Sequence, residues 1–327
     1  MAFVTGGSGF IGGRLLRRLV ADGWSVRALA RSERSAAAVE EAGAEAARGD
    51  LEDVDAMRAG ATGCDAAFHA AAFVEEWGSR ADFERGNVEG TRRVLEAARA
   101  AGVRRFVHVG TEAAILAGEP LVDVDETAPL RPDSKALYSA TKAQAEEVVR
   151  SAAGIETVVV RPRLVWGPGD TTVLPGLIEA VRSKKFSWIG GGEHRTSTTH
   201  VDNAVEGLVL GAERGRPGEA YFVTDGEPVV FRDFVTALLA TQGVEPPDRN
   251  APRALAGGLA AAAEGAWRLL PLRGGPPVTR LAVWLSSLET TIDISKARGE
   301  LGYEPVITRE EGLAALWAEA GAAAGHA

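Results

Sequence analysis

Short apolar runs alternate with stretches of helical spacing through the first half of the chain. Ala2–Val4, Val26–Ala30, Ala66–Ala70, Phe106–Val109 and Thr157–Val160 are compact apolar runs and predict strands. Between them, Ile11–Ala21, Arg34–Ala42, Phe83–Ala101 and Lys135–Ala152 carry apolar residues three and four apart, which predicts helices. Gly23, Gly43 and Gly102 fall just past the ends of three of these helices, where a residue of positive φ closes the last turn. Such alternation of strand and helix predicts a parallel sheet covered on both faces. After Trp166 the rhythm changes: Gly167-Pro168-Gly169 is a turn, and the apolar runs lose their regularity. Ala220–Thr224 reads as one more strand returning to the sheet. From Pro246 the chain is rich in Pro, Gly and Ala, with helices expected around Ala254–Leu270 and Thr308–Ala320. No repeat of solenoid or propeller period is present. The expected architecture is α/β. Residues 1–165, with 199–226 returning, form a doubly wound parallel sheet, and 166–198 with 227–327 form a smaller C-terminal lobe.

Composition narrows the chemistry. The 327 residues are 46% hydrophobic and 25% charged, as in globular chains with one large domain or a core and a lobe. A net charge of -9 leaves no concentrated basic face, so a nucleic-acid partner is not expected. The single cysteine, Cys64, excludes a disulfide framework and a Cys-rich metal site, and reads as a small buried hydrophobe. His69, His108, His194 and His200 lack metal-ligand spacing, and no metal is expected. The chain enters an apolar strand at once, so no signal peptide is expected. Its longest apolar stretch, Leu255–Ala263, is too short to span a bilayer. The expectation is a cytoplasmic protein without a transmembrane segment; peripheral membrane contact through the apolar C-terminal region stays open.

Three motifs carry chemistry. Thr5-Gly6-Gly7-Ser8-Gly9-Phe10-Ile11-Gly12 lies between a strand and a helix. Glycines there allow a tight turn and close approach of backbone to a pyrophosphate, held on the N–H groups of the helix start. At the end of the next strand, where a NAD site usually carries an acid, stands Ala30-Arg31-Ser32. A guanidinium pairs with a 2′-phosphate that a carboxylate would repel, so Arg31 favours NADP(H), with NAD(H) as the alternative. Tyr138 and Lys142 are four apart on the helix between the Phe106–Val109 and Thr157–Val160 strands, and so share one face. An ammonium beside a phenol favours the phenolate, which predicts a lowered Tyr138 pKa and general acid–base work.

With these motifs in place, the chain resembles the extended short-chain dehydrogenase/reductase (NAD-dependent epimerase/dehydratase) superfamily over nearly its whole length. Besides the Thr5–Gly12 run and Tyr138/Lys142, the match rests on Gly49-Asp50-Leu51, Phe68-His69-Ala70-Ala71-Ala72, Asn87 with Gly90-Thr91, Arg161-Pro162, Trp166-Gly167-Pro168-Gly169 and His200-Val201-Asp202-Asn203. The resemblance implies a Rossmann-like fold with a substrate-binding lobe. It implies that Asp50 and Leu51 line the adenine pocket, that Ala70, Ala71 and Ala72 run beside the cofactor with Val109 also at its site, and that Asn87 is a structural or proton-relay residue. Thr111 falls at the family's catalytic Ser/Thr, preceded by Gly110 where Ser is commoner. Lys142 would also hold the nicotinamide ribose, and Pro162 would begin the wall near the nicotinamide. The helices Phe83–Ala101 and Lys135–Ala152 are those that family members pair across a homodimer.

Within the superfamily the chain is most similar to the 3β-hydroxysteroid and sterol dehydrogenase branch, on Val201-Asp202-Asn203-Ala204 and on Gly218–Pro228. Residues 254–288 hold only Glu264, Arg268, Arg273 and Arg280 as charges, which suits an apolar ketone or alcohol substrate. Trp77, Trp166 and Trp188 are candidates for the pocket wall, against ordinary packing. A nucleotide-sugar epimerase is the rival enzyme, with Arg182, Lys184, Lys185 and Arg195 as its diphosphate contacts. A non-catalytic NADP-binding redox sensor ranks last, because such proteins typically lose the Tyr/Lys pair.

Overall fold

A computed structural model describes residues 1–270 and 272–324. The chain forms β1 (Ala2–Thr5), α1 (Phe10–Ala21), β2 (Val26–Ala30), α2 (Glu33–Glu41), β3 (Glu45–Arg48), α3 (Val54–Ala61) and β4 (Ala66–His69). It continues through α4 (Arg80–Phe83), a π-helical stretch at Glu84–Glu89, α5 (Gly90–Ala100), β5 (Arg105–Val109), β6 (Leu121–Val124), α6 (Leu137–Arg150) and β7 (Glu156–Pro162). Then come β8 (Val165–Trp166), α7 (Val173–Arg182), β9 (Trp188–Ile189), β10 (Arg195–Thr196), β11 (Thr199–His200), α8 (Val201–Arg214) and β12 (Glu219–Val223). The last elements are β13 (Val229–Val230), α9 (Phe231–Ala240), β14 (Asn250–Ala251), α10 (Arg253–Leu269), α11 (Arg280–Ser287), β15 (Thr290–Ile292) and α12 (Arg309–Ala324).

Seven strands form one parallel sheet in the order β12-β7-β5-β4-β1-β2-β3. The order reverses at β1, so the carboxyl ends of β1 and β4 flank the crevice where such sheets bind ligands. Helices cover both faces, and β1, β4 and β5 are buried throughout. That explains why these strands read as largely apolar runs. The edge strand β3 does not: Glu45-Ala46-Ala47-Arg48 is exposed at both ends and forms by pairing with β2, so no run announces it.

The lobe carries a second sheet in the order β13-β10-β15-β6. Two of its features depart from the division expected from composition. Its strand β6 comes from the first half of the chain, and Ile292, Ile294, Leu301 and Tyr303 pack back into the core of the main sheet. Trp166 and Trp188 are buried in the lobe core with Phe231 and Phe234; they are packing, not pocket wall. One carboxylate joins sheet to lobe: Asp225 accepts from Trp166 Nε1 at 2.8 Å, Thr198 Oγ1 at 2.7 Å, the His200 N–H at 2.5 Å and Asn203 Nδ2 at 2.8 Å. Among the described residues no helix is long and apolar enough to cross a membrane.

Helix α6 is bolted to the sheet by charge. Arg161 on β7 is fully buried, lies over the Phe222 ring at 5.0 Å, and grips Glu146 with both Nε (2.9 Å) and Nη2. Removing one partner of such a pair strands the other charge away from water. Glu146→Ala is therefore expected to lower stability by about 3–5 kcal/mol in urea denaturation. A loss below about 1 kcal/mol would show that water reaches Arg161.

Candidate active site

The Gly-rich turn sits directly on the neighbouring strand. Gly6 has φ +77°, and a Cβ there would lie 2.5 Å from the Ala71 nitrogen. A Cβ on Gly12 would lie 2.1 Å from the Gly6 oxygen, so the first turn of α1 rests on the loop itself. Only glycine fits either place. The helix opens at Gly9 with no capping side chain and no acid in its first turn. Its leading N–H groups are thus left for an anion, as a pyrophosphate site requires. Ser8 and Gly9 are exposed, Phe10 and Ile11 partly so, and Gly7 packs on Leu16 and Ala28. These residues fit a dinucleotide.

The remaining cofactor candidates divide. Arg31 is exposed just past β2, and Ser32 caps α2 through the Ser35 N–H at 3.2 Å. Asp50 fixes the turn after β3 by accepting from the N–H groups of Glu52 (2.8 Å) and Asp53 (3.2 Å). Leu51 is partly buried against the second core layer, and Ala70, Ala71 and Ala72 extend β4 into the crevice. The Thr5 hydroxyl is buried and bonds His69 Nδ1 at 2.6 Å, which leaves its backbone to border the loop. His69 also meets Thr91 Oγ1 at 3.0 Å, and burial pushes its pKa down to about 3. Asn87 is buried and hydrogen-bonded. It accepts from the Phe73 N–H at 2.7 Å and donates to the Phe73 carbonyl and Thr141 Oγ1, both at 3.1 Å. The π-helical stretch is what turns it toward the Phe73 loop.

Tyr138 and Lys142 stand one turn apart near the start of α6. Lys142 is buried, donates from Nζ to the Val109 carbonyl at 2.8 Å, and lies 3.4 Å from His108 Nε2. Burial pushes its pKa down to about 8, with the Glu146 carboxylate pulling the other way. The expected depression of the Tyr138 phenol is not found. Burial, then the nearby Glu112 carboxylate, push it up, while the Thr111 side chain, within hydrogen-bond reach, acts in the opposite sense. The reason is geometric: the ammonium is turned to the end of β5 rather than to the phenol. Pro162 is buried at the end of β7, beside β5.

Thr111 begins a 3₁₀ turn, Glu112–Ile115. Its Oγ1 accepts from the Ala113 N–H at 3.2 Å and donates to Glu112 Oε2 at 2.8 Å. Glu112 in turn pairs with Arg163 Nη1 at 2.5 Å, and both are buried. A Cβ on Gly110 would lie 2.7 Å from Val159 Cγ1, which explains why no serine precedes Thr111. Glu112 and Arg163 were missed from sequence. The available signal was Arg161-Pro162-Arg163 closing a buried strand, since guanidinia there demand acids. The basic set Arg182, Lys184, Lys185 and Arg195 is exposed at the lobe surface. Trp77 is partly buried, with the Arg268 guanidinium 5.6 Å over its ring. No cluster of three or more metal-ligating side chains occurs among the described residues.

Comparison with known proteins follows this geometry. The sequence profile of the 3-beta hydroxysteroid dehydrogenase/isomerase family matches residues 3–253. A 4-hydroxy-2-methyl-3-oxo-4-farnesyl-3,4-dihydroquinoline-1-oxide ketoreductase of Stigmatella aurantiaca is 50% identical, covering 96% of this chain and 95% of its own. A 2-alkyl-3-oxoalkanoate reductase of Stenotrophomonas maltophilia is 38% identical over 98% of this chain and 99% of its own. In structure, a dTDP-glucose 4,6-dehydratase of Streptomyces venezuelae solved with NAD and TYD superposes with a TM-score of 0.77 at 23% identity, covering 99% of this chain and 98% of that one. This last likeness concerns the fold.

The buried lysine generates a pH prediction. Lys142 loses its proton near pH 8 in the fold but near 10.5 when exposed. Between those values the unfolded chain binds more protons, so folding stability rises with pH and is lost again as pH falls through 8. Lys142→Met should remove a rise on the order of 2 kcal/mol between pH 8 and pH 10 in urea denaturation. Parallel stability curves for the two proteins would show Lys142 to be hydrated.

Proposed function

The chain belongs to the 3-beta hydroxysteroid dehydrogenase/isomerase family, and on that premise we propose an NADP(H)-using oxidoreductase that interconverts a ketone and a secondary alcohol on a bulky, largely apolar substrate. It is a dehydrogenase/reductase of the short-chain type, acting on CH–OH or keto groups. One observation carries the reading. Tyr138 and Lys142 share a face of α6, with Lys142 bonded to the end of β5, on the sheet whose β1 leads into the uncapped turn at Gly6–Gly12.

A bound nicotinamide supplies the hydride in reduction and accepts it in oxidation. The chain supplies the proton and the placement. With its pKa pushed up, Tyr138 keeps its proton at neutral pH and hands it to a carbonyl oxygen in reduction. In oxidation it takes that proton back. Lys142, held at the end of β5, would bond the ribose. Arg31 and Ser32, at the start of α2, are the groups that would receive a 2′-phosphate. An apolar ketone as substrate is supported by the named substrates of the ketoreductase and reductase relatives and by the charge-poor segment 254–288.

The first test is a screen of purified protein for NADPH oxidation against steroid ketones, aryl ketones, β-keto esters and UDP-sugars. Turnover of ketones is expected; turnover of UDP-sugars alone, without net NADPH loss, would make the protein an epimerase. Tyr138→Phe should lower kcat at least about a hundredfold on the accepted ketone, and an unchanged kcat would remove Tyr138 from the reaction. Arg31→Ala should raise KM for NADPH at least about tenfold more than KM for NADH, a loss of one charge-assisted contact. Equal increases would take Arg31 out of the cofactor site.

A further inference from the structure

Thr111, in the family's catalytic Ser/Thr position, has only one proton, and the structure shows where it goes. A hydroxyl donates once and accepts twice. The Thr111 hydrogen lies on Glu112 Oε2 at 2.8 Å, and one lone pair takes the Ala113 N–H at 3.2 Å. What is left is a single lone pair, with the Tyr138 phenol within hydrogen-bond reach of the same hydroxyl. The carboxylate that takes the proton is not free to turn away. Its other oxygen is bound to Arg163 Nη1 at 2.5 Å, and Arg163 is itself bonded through Nη2 (2.9 Å) and Nε (3.3 Å) to Thr196 Oγ1. All four residues are buried, with Thr111 the most exposed at 8%. Burial keeps solvent from taking over these bonds, and an ionised carboxylate offers no hydrogen in return.

We propose that Glu112, held by Arg163, fixes the Thr111 hydroxyl as a hydrogen-bond acceptor, so that the site meets the substrate oxygen with one donor, Tyr138, and one acceptor, Thr111. This rests on the functional reading above and sharpens it. Polarisation of a ketone then falls to Tyr138 alone, while an alcohol, whose O–H can donate to Thr111, gains a bond that the ketone lacks. Glu112 is a positioning residue: it acts through Thr111, and through its charge on the phenol.

Exchange of one atom tests this. In Glu112→Gln the side-chain oxygen can keep Arg163 while the amide nitrogen donates to Thr111, which frees the Thr111 proton for the substrate. The measurement is binding of propiophenone and of its alcohol to the full-length protein saturated with NADP⁺. Calorimetry is done in a Tyr138→Phe background, so that no chemistry intervenes. Glu112→Gln is expected to shift the ratio of the two Kd values at least about tenfold toward the ketone, the worth of one hydrogen bond. A ratio that stays put, with or without a fall in Tm, overturns the proposal and leaves Glu112 as the structural partner of Arg163. Should Glu112→Gln fail to fold, Glu112→Gln with Arg163→Met removes both charges together and must give the same shift. The two claims fail separately. Full turnover by Tyr138→Phe overturns the functional reading, whereas an unmoved ratio in an inactive Tyr138→Phe background overturns only the assignment to Glu112.

Discussion

A guanidinium without access to water sits inside this protein, and helix α6 is anchored where Glu146 answers it. Arg161 has no exposed surface, and its planar fork matches the carboxylate with two parallel bonds. That match specifies the rotation of α6 about its own axis as well as its distance from β7. Tyr138 and Lys142 lie two turns and one turn before Glu146 on the same helix, so their placement is inherited from this pair. The same solution recurs two residues further on, where Arg163 holds Glu112. Two buried cations at the end of one strand thus place two acids, one behind α6 and one beside Thr111.

Charge burial of this kind also sets the acid–base character of the site. Lys142 sits at the end of β5 bonded to a carbonyl and beside a neutral imidazole, and lost hydration weakens its ammonium more than the Glu146 carboxylate restores it. The phenol is shifted the other way by lost hydration and by a carboxylate. Both shifts oppose charge.

Much of the fold was legible because its central strands are buried on both faces. β1, β2, β4, β5 and β7 each read as a mostly apolar run, and the Gly6–Gly12 turn declared the crevice. The strand β3 was not legible, since its polar residues pair only in tertiary context. Neither was the π-helical stretch at Glu84–Glu89, because a widened turn changes which residue faces inward without changing the apolar spacing around it. Within the site, the positions of Tyr138, Lys142 and Thr111 followed from spacing and resemblance. What their hydrogens do depended on Val109, Glu112 and Arg163, through bonds between residues 1 to 51 positions apart whose approach no local pattern encodes.

The carboxylate of Asp225 has a practical meaning for anyone recombining this scaffold. The strands and turns that lead from the sheet into the lobe and back meet on its two oxygens. A chimera that grafts a foreign lobe by cutting at Trp166 and His200 alone would leave that acid facing strangers. Transplanting 164–203 as one cassette, with Asp225 carried along, preserves the seam.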